Sequence, residues 1–148
     1  MKEKEHNKAA KIICGIIVLA MIAGILFLTF QTSEQTTKLS ETVRNWLKSL
    51  GWEMTPKQIR SNVHIPIYFL LGFAVYTFGH VMKWKWYITL LFAIGIALLD
   101  ESIKLLLSTR EFEFKDLMKD FAGISVAGLL TAIISFPRKR AKASKEEC

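Results

Sequence analysis

Four apolar runs, each about twenty residues long, divide the chain at 11–30, 63–82, 86–107 and 117–136. At about 1.5 Å of rise per residue, a helix of that length crosses roughly 30 Å of hydrocarbon. The first run, KIICGIIVLAMIAGILFLTF, carries one charge, at its leading edge. The longest stretch outside the runs, residues 31–62, spaces Leu39, Val43, Trp46, Leu47 and Leu50 by threes and fours, with Lys38, Glu41, Arg44 and Lys48 between them. That is the pattern of an amphipathic helix lying on a membrane surface, closed by Gly51 and stopped before Thr55-Pro56. The pattern predicts an all-α integral membrane protein with one domain over residues 1–148. Its four-transmembrane-helix bundle has an amphipathic extracytoplasmic helix between spans 1 and 2 and ends in a basic tail over 137–148.

Composition agrees with this reading. Of 148 residues, 51% are hydrophobic, and the mean hydropathy of +0.29 is too apolar for an ordinary soluble domain. A cleaved signal peptide is the rival reading of the first run. Against it, the apolar stretch exceeds the usual signal core and no small-x-small cleavage site precedes FQTSEQ. The net charge of +7 raises the question of nucleic acid, and its distribution answers it. Lys2, Lys4, Lys8, Lys11, Lys83, Lys85, Arg138, Lys139, Arg140, Lys142 and Lys145 all fall on one side of a four-span chain. The positive-inside bias then puts both termini in the cytoplasm of a multi-pass protein. The tail PRKRAKASK becomes an anchor toward anionic lipid in the bilayer rather than a nucleic-acid site. Cys14 and Cys148 form neither a disulfide framework nor a metal spacing.

The polar residues inside the runs carry the candidate chemistry. Each helical residue turns about 100°, so with Asp100 at zero, Lys104 lies near about 40°, Glu101 near about 100°, and Ala93 and Ala97 near about 20° and 60°. One stripe of the third span thus collects alanines and then charges, leading to a polar cavity outside. In the fourth span Asp116, Asp120, Gly123, Ala127 and Thr131 share a sector of about 80°. His64 and Tyr68 are four apart on the second span, and Arg60 joins them if the helix begins early enough. With both ends cytoplasmic, Arg60, His64, Tyr68, Asp100, Glu101, Lys104, Arg110, Asp116 and Asp120 converge on the outer-leaflet half. Asp100 stands roughly 21 Å along its span from Trp86, deep enough that it needs partners. A salt-bridge network that only pins helices together needs fewer groups, because buried ion pairs add little net stability over apolar packing. The cluster therefore points to function. One histidine and several acids permit a metal, but no compact ligand motif is present, so neither a metal nor another cofactor is expected.

Together these residues resemble the VanZ-like family of small bacterial membrane proteins. The family's Arg-x-x-x-His-x-x-x-Tyr segment reads here as RSNVHIPIY, with Arg60, His64 and Tyr68. Its Asp-Glu-x-x-Gln reads as DESIK, followed by Arg110, Asp116, Asp120 and Gly123. The resemblance covers about residues 27 to 130 and includes the polar FQTSEQ stretch after span one. Two positions depart from the pattern: Lys104 stands where the family has Gln, and Ser61 where a basic residue is common. The resemblance implies a place in the bacterial cell envelope and, for some members, low-level resistance to teicoplanin-type glycopeptides.

Three functions follow. In the first, Arg60, Tyr68, Lys104, Arg110, Asp116 and Asp120 bind or shield a lipid-linked cell-wall precursor or a glycopeptide antibiotic. In the second, an enzyme acts on a lipid-linked substrate, with His64 as acid or base, Asp100 and Glu101 as an acid-base pair, and Arg60 and Arg110 clamping an anion. The third is a proton-coupled transporter, which four spans could form only as an oligomer.

Overall fold

Among the described residues the chain forms six helices, and the longest follow the apolar runs. In order they are α1 (Lys2–Phe30), α2 (Ser33–Ser49), α3 (Pro56–Asn62), α4 (His64–Val81), α5 (Trp86–Leu106) and α6 (Phe114–Glu146). The computed structural model describes residues 2–31, 33–107 and 113–146, with the side chains of 8–31, 34–107 and 113–134. Among the described residues, three stretches are long and apolar enough to cross a membrane: Lys8–Phe30, Pro56–Val81 and Phe114–Ile134. The fourth expected span coincides with α5, which is not one of the three. Asp100, Glu101 and Lys104 put three charges into its second half.

Local signals set several boundaries. α2 ends where expected: Gly51 takes φ +85°, and the amides of Gly51 and Trp52 close onto the carbonyls of Lys48 and Leu47, both at 3.0 Å. This is a Schellman arrangement, which needs a left-handed residue. α3 begins with a capping box in which Thr55 and Gln58 satisfy each other's backbone amides, and Pro56 opens the first turn. Val63 separates α3 from α4 but keeps a helical conformation and donates to the carbonyl of Ile59. Arg60 therefore continues the face of His64 and Tyr68. α6 starts three residues earlier than the apolar run and stays helical through the basic tail to Glu146.

α4 lies at the centre, packed chiefly on α6 and also on α1 and α5. The core holds Tyr68, Leu71, Val75, Ala93, Ala97, Ile124 and Ala127, all at 1% exposure or less. The outer faces are apolar instead of polar: Leu19, Phe27, Leu91, Leu129 and Ile133 are each at least 65% exposed, as a surface bathed in lipid would be. With lipid outside, burial of apolar area gives helices little reason to associate, and close backbone approach takes over. The α4–α6 crossing depends on this. A β-carbon on Gly123 would lie 2.6 Å from the carbonyl oxygen of Ile65 and 2.8 Å from the amide of Phe69, and one on Gly72 would lie 2.9 Å from Ala127.

Gly123→Ala forces α4 and α6 apart and should cost about 1–3 kcal/mol. Gly95→Ala, at a helical position with nothing within 4 Å of the added carbon, should be neutral or stabilising by up to about 1 kcal/mol. Thermal unfolding of the purified proteins in detergent reads both changes. Equal midpoints for Gly123→Ala and the parent chain would remove the close-approach account.

Candidate functional site

The carboxylate of Asp100, 3% exposed, sits where three helices meet. Its Oδ1 accepts from the hydroxyl of Thr29 on α1. Its Oδ2 accepts from the Tyr68 hydroxyl of α4 at 2.9 Å and faces the Lys104 ammonium at 3.0 Å. Lys104 also donates to Glu101 Oε1 at 2.5 Å, so a single cation bridges two carboxylates on its own helix. This follows from the stripe geometry, since residues three and four apart share a face. Asp100, Glu101 and Lys104 are all buried, together with Ala93 and Ala97 of the same stripe.

His64 is held from both sides by α6. Its Nδ1 lies 2.8 Å from Asp120 Oδ1 and its Nε2 lies 3.7 Å from Asp116 Oδ2. The imidazole runs parallel to the Tyr68 ring, with centroids 6.1 Å apart. Asp116 accepts the Ser61 hydroxyl at 2.5 Å, and Lys119 donates to Ser61 at 2.6 Å and to the Asn62 side chain at 3.0 Å. A cation therefore reaches position 61, supplied by α6. At the rim, Lys57 and Glu113 pair at 3.0 Å. That contact holds the Glu113 carboxyl below its usual range.

Two arrangements differ from the expected open cluster. A cavity of about 150 Å³ reaches Arg60, His64, Tyr68, Asp100 and Lys104, with Leu28, Leu39, Val43, Val63 and Ile67 among its apolar walls. Glu101, Asp116 and Asp120 are not in its lining. Glu101 and Asp120 lie behind it at 2% and 0% exposure. Each keeps one oxygen, Oε2 and Oδ2, with no hydrogen-bond partner among the described residues. Arg110 lies outside the described residues. Arg60 makes no ion pair among them.

Ligand atoms of His64, Asp100, Glu101 and Asp120 all lie within 4.8 Å of one another. The four come from three helices, so no spacing in the sequence could announce them. Thr29 was missed for a related reason. It is one hydroxyl at the end of an apolar run, and its only signal is a polar group at that depth. Lys119 was missed because it reads as one more surface lysine until α3 is packed beside it.

A family model described as VanZ/LLP1 matches residues 14–135. No curated protein and no solved structure matches the chain.

Removing one donor from Asp100 with Tyr68→Phe should cost about 1.5–3 kcal/mol, the range for a hydrogen bond to a charged group. Lys104→Met strands two buried carboxylates and should cost more, about 3–5 kcal/mol. Denaturant titration in lipid nanodiscs measures both. A Lys104→Met protein as stable as the parent would show that the ammonium is not what holds the pair.

Proposed function

This chain belongs to the VanZ/LLP1 family, and on that premise we propose that it is a four-span cell-envelope membrane protein whose cavity takes the polar head of a lipid-linked envelope component. α5 serves as the fourth span, tolerated in hydrocarbon because its charges face inward and are paired. Both termini are cytoplasmic, as the lysine and arginine distribution favours. The cavity then opens toward the outer leaflet, in the part of the envelope where a teicoplanin-type glycopeptide meets its target. α2 lies in the outer interface. Trp46 on α2 and Leu50 just past its end are more than half exposed, a face suited to lipid, while Leu39 and Val43 turn toward the cavity.

The observation that carries the reading is the make-up of the cavity. Apolar walls from α1, α2, α3 and α4 lead to a floor holding Tyr68, Asp100 and Lys104. Arg60 adds a cation without an ion-pair partner among the described residues, and Gln31 contributes an unmet amide oxygen. Such a lining suits a group that is part lipid and part anion, with donors of its own for the amide and carboxylate. A contribution to glycopeptide resistance, by binding or shielding such a component, is the biological consequence.

One observation favours a second reading. His64 pairs at 2.8 Å with Asp120 and shares the cavity floor with Asp100, an arrangement that could serve an enzyme acting on a polyprenyl- or lipid-linked substrate. Turnover of a purified polyprenyl-linked substrate that is lost in His64→Ala would select this reading over simple binding.

Teicoplanin susceptibility of a sensitive bacterium, at matched membrane levels of each variant, tests the principal reading. The parent chain should raise the inhibitory concentration several-fold, and Arg60→Ala and Asp100→Asn should abolish the rise. Resistance that persists in both variants would detach the cavity from the phenotype. Topology is checked separately in a cysteine-free background. A thiol at Ser49 should react with a membrane-impermeant maleimide on intact cells, and one at Lys85 only after lysis. The reverse pattern would invert the protein.

A further inference from the structure

Among the described residues, the buried carboxylates at and behind the cavity floor outnumber the cations that touch them. Asp100, Glu101 and Asp120 are each 3% exposed or less, and the one ammonium among them is Lys104. Lys104 occupies Asp100 Oδ2 and Glu101 Oε1, and His64 occupies Asp120 Oδ1. With the His64 imidazole neutral, three carboxylates against one ammonium leave two negative charges in a water-poor interior, where an uncompensated charge is very costly. Glu101 Oε2 and Asp120 Oδ2, fully shielded from solvent, meet no donor among the described residues.

We propose that His64, Asp100, Glu101 and Asp120 form a divalent-cation site. Their ligand atoms already lie within 4.8 Å of one another. A cation with bonds of about 2.1 Å holds opposite ligand atoms about 4.2 Å apart and adjacent ones about 3.0 Å apart, so the side chains draw inward to close on it. One divalent ion cancels the two surplus charges and engages the unpartnered oxygens. Three carboxylates and one imidazole, with no thiolate in the set, form a hard donor group suited to Mn²⁺ or a similar ion. Thr29, Tyr68 and Lys104 become the groups that orient Asp100, a role such ligands usually require. The inference deepens the functional reading of the same cluster, because an ion at this depth would remove the negative charge that otherwise repels a phosphate or carboxylate head from the cavity floor. The rival solution is a proton shared between the two free oxygens, which leaves no place for a metal.

Full-length protein, stripped with chelator and held in nanodiscs, is titrated with Mn²⁺ and, separately, with Zn²⁺ by calorimetry. Bound Mn²⁺ is followed by electron paramagnetic resonance. One equivalent of either ion should bind. Glu101→Gln and Asp120→Asn should each weaken binding by about tenfold or more, and ¹⁴N modulation in the pulsed spectrum should disappear in His64→Ala. Both amide variants remove an uncompensated charge, so their metal-free forms should melt no lower than the parent. The proposal is overturned if neither ion binds the parent chain, or if affinity is unchanged in both amide variants. A parent chain that binds no metal yet still raises teicoplanin resistance in a cavity-dependent way would remove the ion and leave the head-group reading standing.

Discussion

A carboxylate cannot stay charged in an apolar interior unless donors surround it, and Asp100 makes the bundle meet that condition. Its partners come from three directions: Thr29 at the end of α1, Tyr68 one turn into α4, and Lys104 one turn further along α5. Each helix must present one particular residue at one particular height, which fixes its rotation and its position along the axis together. Apolar contacts alone do not, since leucines slide and exchange neighbours at little cost. The polar network is a poor source of net stability, yet it supplies register among helices whose outer surfaces are uniformly apolar.

Close packing does the complementary task away from the charges. Gly123 and Gly72 remove side chains from the α4–α6 crossing, so that α6 backbone approaches α4 backbone directly. That approach brings Asp116 and Asp120 to either end of the His64 ring. A bulkier crossing would carry Asp120 away from the imidazole and open the buried compartment it shares with Glu101. The small residues and the acids of α6 are therefore one device: the glycine sets the distance at which the carboxylates act.

The cluster divides into two chemically distinct parts. Asp100, Lys104, Tyr68 and His64 face a cavity with hydrocarbon walls, where an amphipathic molecule could bring its polar end. Glu101 and Asp120 lie outside that cavity's lining, each with one oxygen unmatched among the described residues. Their geometry separates a layer that lines the cavity from a layer buried behind it. Lys104 belongs to both, since one ammonium contacts a carboxylate of each.

Much of this was legible in the chain itself, because hydrophobic length and helical period are local properties. The apolar runs mark α4 and α5 closely at both ends, as well as the end of α1 and the start of α6, while α1 begins back at Lys2 and α6 runs on to Glu146 through the charged flanks; the three- and four-residue spacing marks α2, and Gly51 marks its end. The stripe of Ala93, Ala97, Asp100 and Lys104 follows from the turn per residue alone, and all four side chains are buried. A periodicity places a residue on a face of its own helix but says nothing about what that face meets. Only packing could join Thr29 to Asp100 across 71 positions, carry Lys119 to Ser61, and turn Glu101 and Asp120 away from the cavity. The physical reason is that relative rotation and spacing of helices are set by backbone approach at glycine and by the pairing of buried charge. Both are properties of contacts between distant parts of the chain.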